Sequence, residues 1–121
     1  MAKSVCILVR RSPYGVIQAA EAVRHINGAL GNDFAMTAVF ADDGVYSLKA
    51  GQEVGGTGFT NLGAALTDTI AKGDPRAKFA VHRPSAEARG LKEVDLLPGV
   101  TWINDAELAA MLVDTANVML F

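Results

Sequence analysis

After its first residue, the stretch Ser4-Val-Cys-Ile-Leu-Val9 is apolar at every position, with no polar alternation. A strand with one wet face alternates between apolar and polar residues. An unbroken apolar run predicts a strand covered on both faces, as in a parallel sheet flanked by helices. The charged turn Arg10-Arg11-Ser12-Pro13-Tyr14-Gly15 follows, and Pro13 stops the strand because it brings no N–H to a ladder. Val16, Ala19, Ala20, Val23, Ile26 and Leu30 then recur at helical spacing, while Gln18, Glu21 and His25 take the wet side. Gly28 and Gly31 are the terminators of that helix.

The same alternation continues along the chain. Phe34 to Phe40 reads as a second strand, with Ala41-Asp42-Asp43-Gly44 as its turn and a helical turn over Val45 to Ala50. A glycine-rich loop, Gly51 to Gly58, reads as flexible and leads into a helix whose apolar stripe is Phe59, Leu62, Leu66 and Ile70. Phe79 to Val81 is a third strand, broken at His82-Arg83-Pro84 into a short helix that ends at Gly90. A brief fourth strand is expected around Val100 to Trp102. Asn104 with Glu107 three residues on is a capping-box pattern for the helix lined by Leu108, Met111, Leu112 and Thr115. Val118 to Phe121 closes as the last strand.

Strands and helices that alternate with short connections specify an α/β fold, a parallel sheet with helices on both faces. At 121 residues, half of them hydrophobic, the chain is expected to form one domain over residues 1–121. With five strands, the flavodoxin-like order 2-1-3-4-5 is the default expectation. In that order the topological switch lies between strands one and three, and ligands bind beyond their carboxyl ends. Arg10, Arg11, Ser12 and Tyr14 would then converge with His82, Arg83 and Ser85 on an anion-friendly crevice at helix N-termini.

Composition narrows the function classes. Charges nearly balance, 11 Lys plus Arg against 13 Asp plus Glu, so no basic field argues for nucleic acid. One cysteine excludes a disulfide within the chain and a cysteine-based zinc site, and two distant histidines carry no metal signature. The apolar run at Val5 to Val9 is too short for a membrane span or a signal-peptide core, which places the expected location in the cytoplasm. No cofactor motif is present: Gly55-Gly-Thr-Gly58 lacks the Gly-Lys-Ser/Thr ending of a phosphate loop and does not follow a strand.

Several short motifs fall in a shared order. They are Ser12-Pro-Tyr-Gly15, Asp43-Gly-Val-Tyr46, Arg89-Gly-Leu91, Leu97-Pro-Gly-Val-Thr101, Leu108-Ala109 and the terminal Asn117-Val-Met-Leu-Phe121. Together they resemble the DsrE/DsrF family of small sulfur-trafficking proteins, which includes the Dsr proteins of sulfur oxidation and the TusB, TusC and TusD relay subunits of tRNA 2-thiouridine synthesis. The resemblance implies a flavodoxin-like fold, assembly into trimers or hexamers and, in active members, a cysteine after strand three that carries persulfide sulfur. This sequence has His82 at the matching position. Imidazole does not hold sulfane sulfur, so the resemblance implies a non-catalytic subunit, in a homo-oligomer or a mixed oligomer with a cysteine-bearing relative, or a member turned to a small anionic ligand.

The individual residues leave three readings open. Cys6, the only thiol, lies within a central strand, where cysteine behaves as a small buried hydrophobe; a sulfur carrier acting through it would need that thiol reachable. His82 is the one candidate for acid–base chemistry, with no carboxylate and nucleophile partner at a diagnostic spacing. Arg10, Arg11 and Arg83 suit an anion clamp in a protein that binds an anionic metabolite or nucleotide, or in an enzyme, unrelated to sulfur. Asp42 and Asp43 read as turn chemistry, and Arg89 as the residue that caps the short helix and pairs with an acid.

Overall fold

The computed structural model of the protein describes residues 3–121. Its elements run β1 (Ser4–Val9), α1 (Gln18–Gly31), β2 (Ala35–Phe40), a 3-10 segment (Asp42–Leu48), α2 (Leu62–Ala71), β3 (Ala77–His82), α3 (Arg83–Ala88), a 3-10 turn (Glu93–Asp95), β4 (Thr101–Ile103), α4 (Asp105–Asp114) and β5 (Asn117–Leu120). The unbroken apolar run is the fully paired interior strand β1, parallel to β2 on one side and β5 on the other. The expected capping box forms: Asn104 Oδ1 accepts from the Glu107 N–H at 2.8 Å, and Glu107 Oε1 accepts from the Asn104 N–H at 3.0 Å. One such cap contributes about 1 kcal/mol.

The five-stranded parallel α/β sheet is as expected, but its order is β4-β3-β2-β1-β5 rather than 2-1-3-4-5. Handedness explains the layering. Right-handed crossovers that step in one direction from β1 to β4 place their helices on one face, and the single return from β4 to β5 places α4 on the other. The first face, under α1 and α2, holds the larger core, including Ile7, Val9, Ile26, Met36, Phe40, Leu66 and Val81. The second holds Cys6, Leu8, Val39, Ala41, Ala80 and Ile103 beneath Leu108, Met111 and Leu112 of α4. Strand order is the piece that local pattern left open: β1 and β2 are nearly as apolar as each other, and periodicity does not record which interior strand takes β3 as its neighbour.

Two helix starts also lie further along than the pattern implied. Val16 and Phe59 are outside α1 and α2 and are exposed, at 42% and 56%. α2 begins at its N-cap Asn61, whose side chain accepts from the Ala64 N–H, whereas α1 begins at its N-cap Ile17 with no side-chain cap.

Candidate functional site at the carboxyl ends of the strands

The strand order changes what meets at the carboxyl end of the sheet. The expected crevice between β1 and β3 is occupied by β2, so the turn after β2 stands between Arg10 and His82. That turn joins them. Arg10 Nε donates to Asp42 Oδ2 at 2.9 Å, and the Asp42 backbone N–H donates to Ser85 Oγ at 2.9 Å. Ser85 Oγ lies 2.7 Å from His82 Nδ1, and His82 Nε2 lies 2.6 Å from Asp105 Oδ1. One hydrogen-bonded line therefore links the ends of β1, β2 and β3 to the first turn of α4.

The donors in that line follow from counting. Ser85 is buried, and its oxygen already receives the Asp42 N–H. The Asp105 carboxylate only accepts, so Nε2 of His82 donates to it, and in the neutral imidazole Nδ1 then accepts from the Ser85 hydroxyl. His82 thus has both ring nitrogens engaged. Its side chain is only 14% exposed, whereas that of Asp105 is 84% exposed. The arrangement has the composition of a serine–histidine–carboxylate relay, and it supplies the partners for His82 that no sequence spacing disclosed. It is not built for acyl transfer, because the serine oxygen is sealed inside and already holds a backbone N–H.

The turn after β2 is shaped for this role. Asp42 adopts φ 49°, in the left-handed region, which aspartate tolerates better than most residues. Gly44 follows where the chain passes so close to β1 that a Cβ would fall 2.0 Å from the Val9 carbonyl oxygen. The next residue out is also held: Arg89 donates from Nε to Asp43 Oδ1 at 3.0 Å and from Nη1 to the Ser85 carbonyl at 3.1 Å. Arg89 thus ties the end of α3 to the β2 turn, as its position beside Gly90 implied.

The other expected site residues part company. The Arg83 guanidinium stacks over the Trp102 ring at 5.1 Å. Arg11 points to solvent, and Ser12 Oγ donates to the Tyr14 carbonyl at 3.4 Å. Tyr14 lies on the α1 face. Its hydroxyl donates to Gln52 Oε1 at 2.5 Å and accepts from the Leu62 N–H at 3.2 Å. Gln52 is a residue that sequence reasoning passed over. Its Nε2 donates to the carbonyls of Ser47 and Lys49, both at 2.9 Å, and Oε1 also accepts from the Gly63 N–H at 3.3 Å. One amide therefore ties the start of the glycine-rich loop to the turn after β1 and to α2. The only cue in the sequence was a single amide directly after Gly51, at the start of the glycine-rich loop.

Cys6 is 0% exposed beneath α4, and burial pushes its thiol above the usual range. Among the described residues no group of three or more His, Cys, Asp or Glu is arranged to hold a metal ion, and no helix is long and apolar enough to cross a membrane.

Comparison with known proteins agrees with this architecture. The model of the DsrE/DsrF-like family matches residues 3–121. The intracellular sulfur oxidation protein DsrF of Allochromatium vinosum is 37% identical over 95 residues, spanning 78% of this chain and 68% of that protein. The uncharacterized protein MJ0989 of Methanocaldococcus jannaschii is 30% identical over 115 residues, spanning 95% of this chain and 96% of its own. Among solved structures, the ychN protein from E. coli superposes over the whole of both chains with a TM-score of 0.83 at 21% identity. MTH1491 of Methanobacterium thermoautotrophicum does so with a TM-score of 0.72 at 13% identity. At those identities the likeness concerns the fold.

Proposed function

The chain belongs to the DsrE/DsrF-like family, and from that premise we propose that it is a sulfur-relay subunit that carries no sulfur itself and works inside an oligomer. The oligomer is either of its own copies, as a trimer or hexamer, or mixed with a related cysteine-bearing subunit. The observation that carries this reading is the state of its only thiol. Cys6 is fully buried and its pKa is raised by burial, the reverse of the exposed, electropositive setting that a sulfur-carrying thiolate needs. The carboxyl end of β3, where the resemblance puts the active cysteine, holds His82 with both nitrogens engaged. A relay that includes this chain takes its thiol from a partner.

The second sheet face supports the oligomer. Five strands about 4.8 Å apart span roughly 20 Å, and one helix about 10 Å wide covers about half of that. The bare half lies over β5, where Val118 and Leu120 pair with Cys6 and Leu8 in the ladder, share their side of the sheet, and are 42% and 66% exposed. An open strand edge with apolar side chains is a ready surface for another chain.

The anion-pocket alternative has less behind it, since Arg10 pairs with Asp42 and Arg83 stacks on Trp102. The deciding experiment is intact mass after incubation with inorganic polysulfide, without reductant, on the protein alone and on whatever copurifies with it. The reading expects no added sulfur on this chain and, where the oligomer is mixed, a sulfur adduct, removed by dithiothreitol, on the copurifying subunit. A dithiothreitol-sensitive adduct on this chain, absent in Cys6→Ser, would replace it with the carrier reading. A strictly monomeric protein with no partner would end the subunit role.

A further inference from the structure

Three exposed apolar side chains, Val16, Ile17 and Phe59, lie around one cavity of about 380 Å³ next to the turn after β1. Pro13, Tyr14 and Leu62 complete most of its wall, and no Lys, Arg, Asp, Glu or His lines it. The cavity is on the α1 and α2 side of the sheet, apart from His82 and its partners. Its volume is in the range of small-molecule sites.

The geometry of the wall narrows the ligand. The Tyr14 and Phe59 rings are nearly parallel, 14° apart with centroids 6.3 Å apart. Parallel ring faces favour another flat ring laid against them over a branched aliphatic group. Tyr14 is also held in place: its hydroxyl is fixed at once by Gln52 and by the Leu62 N–H, so its ring keeps its orientation with no ligand to order it. Phe59 sits at the end of a loop with Gly51, Gly55 and Gly58 at positive φ and open space at each, which lets the second ring adjust its spacing. The Thr60 hydroxyl is the one polar side-chain end in the lining besides that of Tyr14, and it suits a single edge group on the ligand.

We propose that this pocket is a binding site for a flat, uncharged aromatic or heteroaromatic ring compound of one or two fused rings. The absence of any charged lining residue distinguishes it from the anion-binding role expected of the same turn, and it stands or falls separately from the sulfur-relay reading. The test uses indole as probe, with indole-3-carboxylate and cyclohexanol as charged and non-planar comparators, followed by backbone amide shifts of the 121-residue chain. The expected result is saturable indole binding in the millimolar range or tighter, with shifts confined to the segments around Tyr14–Ala20 and Phe59–Leu62, and weaker binding of both comparators.

Phe59→Ala removes the ring from an exposed position and is expected to weaken indole binding by about tenfold. Phe59→Leu keeps an apolar side chain without a ring and is expected to lose most of that affinity too, with an unchanged fold in both. Cyclohexanol binding as tightly as indole, shifts elsewhere, or no saturation would overturn the proposal. So would line broadening of the same segments that grows with protein concentration in the absence of probe, which would make the patch a contact between copies.

Discussion

His82 Nε2 stands 2.6 Å from Asp105 Oδ1, which fastens the end of β3 to the first turn of α4, the helix that lies over Cys6. The other end of the imidazole is bound to the buried Ser85 hydroxyl, itself fixed by the Asp42 N–H. The two ends of this line differ in burial, and so should the effects of cutting it. Ser85→Ala leaves a half-buried backbone N–H and a ring nitrogen without their partner and is expected to cost roughly 1–3 kcal/mol in chemical denaturation. Asp105→Ala cuts the line at an exposed carboxylate and is expected to cost about 1 kcal/mol or less. Equal losses from the two would show that the buried hydroxyl does not anchor the line.

Gly44 is expected to admit no side chain. A Cβ there would fall 2.0 Å from the Val9 carbonyl oxygen, and that same oxygen accepts the Ala41 N–H at 2.9 Å. Both partners of the clash are backbone, so neither yields by changing rotamer. Gly44→Ala should destabilise by roughly 3 kcal/mol or more, while Gly28→Ala, on an open helix surface, should be neutral or mildly stabilising. Comparable melting temperatures for the two variants would contradict the close approach.

Cys6 should react with iodoacetamide only when the protein opens. It has no exposed surface, and burial raises the pKa of its thiol, so the native thiolate fraction is small as well as hidden. Labelling followed by mass spectrometry is expected to show negligible modification under native conditions and complete modification in denaturant. Because α4 covers Cys6, Leu108→Ala is expected to speed native labelling by loosening the lid. Rapid native labelling of the unaltered protein would show that α4 does not seal this face.

The opposite end of the sheet carries a pH-dependent clamp. Arg76 donates to both oxygens of Asp74 at 3.1 and 2.8 Å, to Asp33 at 2.8 Å and to the Leu30 carbonyl at 3.1 Å, which ties the start of β3 to the end of α1. The hydrogen bonds from Arg76 lower the Asp74 pKa from 3.8 to about 2. Its folded value is below its unfolded one, so the contribution is complete above the unfolded value and is lost as the pH falls through about 2. Asp74→Asn should therefore flatten the fall of stability below pH 3.8 while leaving its slope near neutrality unchanged. An unaltered acid limb in that variant would remove Asp74 from acid unfolding.

If β5 is the contact edge between chains, Leu120→Lys should shift the assembly toward smaller species without unfolding it, since Leu120 is 66% exposed in the single chain. Sedimentation velocity beside a far-ultraviolet circular dichroism spectrum separates loss of assembly from loss of fold. An unchanged assembly would place the contact on another surface.

By itself the sequence determined the kinds of element and their order along the chain, though not where α1 and α2 begin. The run from Val5 to Val9 had to be a doubly covered strand, Asn104 with Glu107 had to start a helix, and the alternation of the two had to build a parallel sheet, since each follows from backbone hydrogen bonding and burial within a few residues. Cys6 was legible as core for the same reason. Strand order was decided by the tertiary structure, where β1, β2 and β3 compete for neighbours over long sequence separations that leave no periodic trace. That choice remade the site. With β2 between β1 and β3, Arg10 met the Asp42 carboxylate, Ser85 turned inward to Asp42 and His82, and Asp105 arrived from 23 residues away to complete the line. Tyr14 was drawn to the other face, toward Gln52 and Phe59. Hydrogen-bonding partners that meet only after five strands are in register are set by the geometry of the finished sheet, and side-chain type along the chain does not encode them.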